Sequence, residues 1–277
     1  MANESPCIDM SAKYRTVGIT KAVLQSFVRP AYGGLRRWIK SKISDASSKE
    51  PTYKQQEIID VRISGIPYPI KLRTESSDGR SMTQCLIERQ YNIDPGFEPS
   101  SILDLGGNIG CSAIYFANRW PNAKIVVVEP FAETFAILKE NVSGYPNVVA
   151  VQAAAHYQNE TVSLDVPSNE FWSTRVLKKT SSSDNAGNVA RGVTVSDLLD
   201  EHGIDKVDIL KMDIEGSEAD LFANRPHSWL RRTRLLMIEL HDGTRMGCTW
   251  YLERALRSYK TRKGQIGENL LVWFDEN

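Results

Sequence analysis

Four short stretches hold the residues best suited to chemistry: Asp104-Leu105-Gly106-Gly107-Asn108-Ile109-Gly110, Glu129-Pro130, Asp213-Ile214-Glu215-Gly216 and Glu239-Leu240-His241-Asp242. The first reads as a strand–turn–helix junction. Its glycines let the backbone approach a ligand and take positive φ, and the helix that follows offers unpaired N–H groups. Dinucleotides and S-adenosylmethionine both use such a corner. The dinucleotide fingerprint G-x-G-x-x-G, aligned on Gly107 and Gly110, needs glycine where Leu105 stands. The methyl-donor pattern D-x-G-x-G-x-G fits at Asp104, Gly106 and Gly110, with Asn108 in place of the middle glycine. Asn is the side chain that best tolerates left-handed geometry. Glu129 follows Asp104 by 25 residues, a spacing that suits a carboxylate accepting hydrogen bonds from ribose hydroxyls. The expected cofactor residues are therefore Asp104, Gly106, Gly107, Asn108, Gly110 and Glu129, with Asp213 bordering them.

The other two stretches suit proton transfer. A weakly acidic hydroxyl needs a base as its oxygen takes a methyl group. Asp213, Glu215 and His241 are the candidates. His241 is favoured because its unperturbed pKa lies near neutrality, and Asp213 would orient it or hold substrate hydroxyls. Glu215 is a candidate substrate residue, whereas Glu218 reads mainly as a helix-start carboxylate favoured by the dipole. Asp213, Glu215 and Asp242 are able to bind Mg²⁺ through oxygens, but no spacing demands a metal, and the expectation is metal-free. Phe171, Trp172 and Arg175 follow the third strand; Trp172 and Arg175 are candidates for a wall and a clamp on the substrate.

These corners need a scaffold, and the alternation around them supplies one. Apolar or β-branched runs at 102–105, 124–129, 147–153, 207–212, 235–240 and 270–274 read as strands. Ile-Val-Val-Val within 124–129 is apolar on both faces, as in a strand buried on both sides. Helical spacing fills 109–120, 131–142 and 247–259, and a helix starts at 197–201 with Ser196 as N-cap. Such alternation means βαβ crossovers and a doubly wound, mostly parallel α/β sheet. Ligands then sit beyond the carboxyl ends of the strands, where all four stretches fall. Before this core, 57–64 and 68–73 read as two strands and 82–91 as a helix.

With those motifs in place, the sequence resembles the FkbM-type S-adenosylmethionine-dependent methyltransferases. Asp-Leu-Gly-Gly-Asn-Ile-Gly (104–110), Val-Glu-Pro (128–130), Leu-Lys-Met-Asp-Ile-Glu-Gly-Ser-Glu (210–218) and Ile-Glu-Leu-His (238–241) match its signatures in order and spacing. The resemblance runs from about Ser77 to Phe274. It implies a seven-stranded methyltransferase sheet, a Rossmann-like fold, and O-methylation, usually of sugar or polyketide hydroxyls. It also implies that the fourth and fifth strands adjoin the first.

Composition narrows the remaining classes. The 277 residues carry 34 basic and 34 acidic side chains, so no whole-molecule field favours nucleic acid. The four cysteines make no C-x-x-C pair, which suits a reducing cytosol rather than a disulfide framework or zinc module. No Pro-Pro occurs anywhere, against the Asn/Asp-Pro-Pro-aromatic block common in base amino-methylation. Three parts are expected: a basic extension at 1–50, a subdomain at 51–100 and the core at 101–277. Residues 35–43 place Leu35, Trp38, Ile39 and Ile43 on one helical face opposite basic residues, suited to docking on the protein itself or to peripheral membrane contact. No signal peptide or spanning run is visible, so the expected location is cytoplasmic, with a small molecule or glycan as acceptor. The rival readings are a nicotinamide-dependent oxidoreductase and a non-catalytic adaptor.

Overall fold

The computed structural model describes residues 8–9, 57–165, 175–177 and 188–275. The 35–43 helix, Phe171, Trp172 and most of the polar stretch 178–191 lie outside them. The chain divides into two compact units after Glu75, so the division falls there and not at residue 100.

The first unit contains a three-stranded antiparallel sheet of β1 (Ile8–Asp9), β2 (Ile58–Ile63) and β3 (Ile70–Arg73), in that order. The second opens with α1 (Asp78–Met82), which widens into a π-helical turn at Thr83–Ile87. Helix formation thus begins earlier and ends sooner than the apolar spacing at 82–91 implied.

The core then follows as β4 (Ser101–Leu105), α2 (Cys111–Arg119), β5 (Lys124–Glu129), α3 (Ala132–Val142), β6 (Val148–Gln152), β7 (Ala154–Ala155), β8 (Glu160–Asp165), β9 (Arg175–Leu177) and β10 (Val189–Val193). It continues as α4 (Val195–Glu201), β11 (Val207–Met212), α5 (Glu218–Ala223), α6 (His227–Leu230), β12 (Thr233–Ile238), α7 (Cys248–Leu256), β13 (Thr261–Ile266) and β14 (Asn269–Phe274).

Seven of these strands form the central sheet, in the order β13-β14-β12-β11-β4-β5-β6. The five from β12 to β6 run parallel, and the β13–β14 hairpin pairs antiparallel at one edge. This is the doubly wound α/β sheet expected. β4 and β11 are buried along nearly their whole length, as is β5 beyond Lys124, which explains their largely apolar composition and the unbroken Ile-Val-Val-Val of β5. Chain order reverses between β4 and β11, so the crevice for a ligand opens above those two strands.

A second sheet, ordered β7-β10-β8-β9, lies outside the alternation. Its buried face gathers Val162, Leu164 and Ala190 around Phe131 and Ala154. Two local readings need correction. The N-cap of α4 is Thr194, whose hydroxyl accepts from the Asp197 amide, and not Ser196. β12, the fifth parallel strand, does not adjoin β4; β11 stands between them.

Candidate active site

The glycine corner forms where β4 meets α2. Gly106, Asn108 and Gly110 all take positive φ, at 81°, 48° and 92°, so asparagine holds the left-handed position that glycine usually fills. A Cβ on Gly106 would lie 1.8 Å from the Asp213 carbonyl oxygen, and one on Gly107 would lie 2.2 Å from Val127 Cγ2. The turn is therefore pressed between the ends of β11 and β5. Amides of Gly106 and Gly107 both donate to the Val128 carbonyl.

Glu129 fixes this turn from the neighbouring strand. Its carboxylate accepts from the Asn108 amide at 3.0 Å and from the Phe131 amide at 3.0 Å. Gly106, Gly107, Asn108, Glu129 and Asp213 line one pocket, and the buried Asn108 Oδ1 has no hydrogen-bond partner. A nucleoside cofactor fits this cradle: it meets bare backbone, a strand-end carboxylate and an unsatisfied acceptor. Replacing Glu129 with alanine removes both the ribose partner and the brace on Asn108. Calorimetry should show cofactor binding weakened by about 1.5–3 kcal/mol; unchanged affinity would remove Glu129 from the site.

Asp104 and Gly110 support the cradle without lining it. Asp104 is 0% exposed; it accepts from Ser112 Oγ at 2.5 Å and pairs with Lys211 Nζ at 3.1 Å. Gly110 caps α2. Of the expected cofactor residues, these two shape the cradle from behind.

Lys211, not singled out from the sequence, joins the two halves of the crevice. It lies opposite Asp104 across the β4–β11 ladder and is 1% exposed. Its ammonium donates to the Gly106 carbonyl at 2.8 Å and reaches Asp213 at 3.8 Å. Burial works against this charge, but Asp104 and Asp213 outweigh it and hold the pKa above its ordinary value. The aromatic ring of Tyr91 lies 5.9 Å from Nζ. The sequence signal was a lysine inside an otherwise apolar strand, which must find carboxylates or unfold the strand.

The acceptor side is a cluster centred on His241. Its Nδ1 lies 2.9 Å from Glu218 Oε1. Its Nε2 faces Asp213 at 3.7 Å, Glu215 at 3.8 Å and Glu239 at 3.7 Å. Glu218 opens α5, as expected of a helix-start carboxylate, but it is also 0% exposed and accepts from the Ile214 amide. Burial opposes a charge on His241, yet the Glu218 hydrogen bond and the surrounding carboxylates raise its pKa to about 9. These surroundings favour the charged imidazole and so work against the role of base expected of it. Burial first, then the neighbouring carboxylates, raise Glu215 and Glu239 to about 7. Glu239 was quoted in the strand-end motif but not chosen; its role depends on β12 lying beside β11.

Asp242 stands apart from this group. It accepts from the Gly247 and Thr249 amides at the start of α7, so it is a helix cap and not a Mg²⁺ ligand. Arg175 opens β9, opposite Asp165, and its neighbour Val176 lines the pocket. The remaining wall comes from Ser77 to Tyr91, around the π-helical turn, a segment given no role from sequence. No described helix is long and apolar enough to cross a membrane.

A family model described as "Methyltransferase FkbM domain" matches residues 104–260, more than half of the chain. "Methyltransferase 1" of Beauveria bassiana is 28% identical over 158 residues, covering 50% of this chain and 63% of that protein. "Methyltransferase sdnD" of Sordaria araneosa is 26% identical over 168 residues, covering 50% and 65%. The matches thus span under two thirds of those relatives. Among solved structures, an O-methyltransferase from Bacillus cereus in complex with SAH is similar at a TM-score of 0.42 and 11% identity, covering 92% of this chain and 96% of that one. The glycine cradle, the Glu129 brace and the family match agree: the chain belongs to the FkbM methyltransferase family.

Proposed function

We propose that the protein is an S-adenosylmethionine-dependent methyltransferase acting on a hydroxyl of a sugar or polyketide-type small molecule or glycan. The observation that carries the reading is the position of Asp213. Its backbone closes on Gly106, while its carboxylate faces His241 and shares a pocket with Glu215 and Glu239. One residue thus touches both the donor side and the acceptor side.

S-adenosylmethionine supplies an electrophilic methyl group on a sulfonium. The protein's task is alignment and removal of one proton. The glycine turn and Glu129 hold the nucleoside. Asp213, partly open to the pocket, takes the proton as the acceptor oxygen attacks. Glu215 and Glu239 accept hydrogen bonds from neighbouring hydroxyls, which favours a polyol over an apolar acceptor. His241 keeps the three carboxylates together, as a positioning residue.

Other methylation chemistries find less support. Cys85 lines the pocket, but burial pushes its thiol up to about 12, so it offers no thiolate for methylation at carbon. The strand end reads Asp213-Ile214-Glu215-Gly216 and lacks the proline pair used with base amines. A bound nicotinamide has no fingerprint to occupy, and an adaptor has no need of so complete a cofactor cradle.

The test is methyl transfer from labelled S-adenosylmethionine to panels of sugars, polyketide alcohols, amines and carboxylic acids. Alkali-stable label in a hydroxyl compound is expected, and label only in amines or esters would overturn the reading. In the same assay His241→Ala should lower kcat about a hundredfold while leaving cofactor affinity within a few fold. Near-normal turnover would remove His241 from the reacting corner.

A further inference from the structure

We propose that Asp213, Glu239 and His241 form a binding site for one divalent cation of the Mn²⁺ or Mg²⁺ type. One ligand atom from each of the three lies within 4.8 Å of the others. His241 Nε2 is 3.7 Å from Asp213 Oδ1 and 3.7 Å from Glu239 Oε1. Neighbouring ligands of an octahedral ion at about 2.1 Å lie roughly 3 Å apart, so side-chain shifts of under about 1 Å bring these atoms to ligating distance. The donors already converge, and an ion enters without backbone movement.

A second observation points into the same space. Glu215 is 8% exposed, and among the described residues no hydrogen bond reaches its carboxylate. Its nearest polar neighbour is His241 Nε2 at 3.8 Å. A buried carboxylate without hydrogen bonds is costly, and a cation between it and its neighbours satisfies it as a fourth ligand. Glu218, holding Nδ1, orients the imidazole so that Nε2 faces the ion, as outer-shell carboxylates do for ligating histidines. An imidazole binds metal only as the neutral ring, so the ion displaces the Nε2 proton to solvent. Three carboxylates with one nitrogen favour manganese or magnesium over the softer metals.

The role of the ion rests on the hydroxyl-acceptor reading: beside the Gly106 turn it would bind the acceptor oxygen and make its proton easier to remove, with Asp213 Oδ1 on the ion and its second carboxylate oxygen left to take the proton. Binding itself is independent of any acceptor. Full-length protein stripped with chelator is titrated with Mn²⁺ alone, followed by electron paramagnetic resonance and calorimetry. One Mn²⁺ per chain with sub-millimolar affinity is expected. Glu239→Gln and His241→Ala should each weaken it at least tenfold, while Asp242→Asn, which alters only the cap of α7, should leave it unchanged. Circular dichroism on each variant shows whether the fold survives. Absence of saturable Mn²⁺ binding in the unsubstituted protein overturns the proposal, as does binding indifferent to Glu239→Gln or equally weakened by Asp242→Asn. A separate titration with S-adenosylmethionine and the labelled-acceptor panel report on the hydroxyl reading, so the two can fail independently.

Discussion

Replacing Lys211 with methionine is expected to cost about 3–5 kcal/mol of stability, the scale for breaking a buried ion pair by removing one partner. Asp104 is fully buried and would keep only the Ser112 hydroxyl. The Gly106 carbonyl would lose its donor as well. Urea denaturation followed by tryptophan fluorescence measures the loss. The double variant Asp104→Asn, Lys211→Met should recover much of it, because no unpaired charge then remains. The single variant should also bind S-adenosylmethionine more weakly, since the glycine turn rests on this ammonium. A single variant with the parental denaturation midpoint would show that the pair contributes nothing to stability.

The second large effect is expected at Asp213. Asp213→Asn preserves shape and removes the proton acceptor, so kcat should fall about 10²–10⁴-fold, the usual contribution of a general base. Cofactor affinity should stay within a few fold, because the backbone contact with Gly106 is retained. Single-turnover methyl transfer with saturating cofactor separates the two quantities. Equal losses in kcat and affinity would instead make Asp213 part of the cofactor cradle alone.

How much of this was legible in the sequence depends on how local each feature is. β5 announces itself by its unbroken Ile-Val-Val-Val and β11 by a mostly apolar run, and the glycine corner lies within seven consecutive residues. The two-faced burial of β4 to β12 follows from that pattern. The hairpin partner β13, Thr-Arg-Lys-Gly-Gln-Ile, is half exposed at an edge, so its composition resembles a loop. The β8 and β10 strands lie inside the second sheet but bury only part of their length, so their sequences are too mixed to read as core strands.

The site shows the same division. Glu129 and Asp213 were found because they end strands beside the turn. The upward pull on the His241 pKa was not legible, because it comes from Glu218, 23 residues earlier in the chain, and from Asp213 at the end of another strand. Only the sheet order brings those groups together. Likewise Lys211 and Asp104 are 107 residues apart, and their pairing appears only once β11 is placed beside β4.

That placement has a consequence for assembly. β4, β5 and β6 are joined by short helical crossovers and can find one another early. β11 reaches β4 only after a loop of about a hundred residues closes, and distant pairings of this kind are slow. The nucleoside cradle is braced from β5 on one side and from Lys211 on the other. A partly assembled sheet therefore presents the glycine turn without its floor. Cofactor is then recognised only by chains that have closed this long loop, so the ligand also serves as a seal on complete folding.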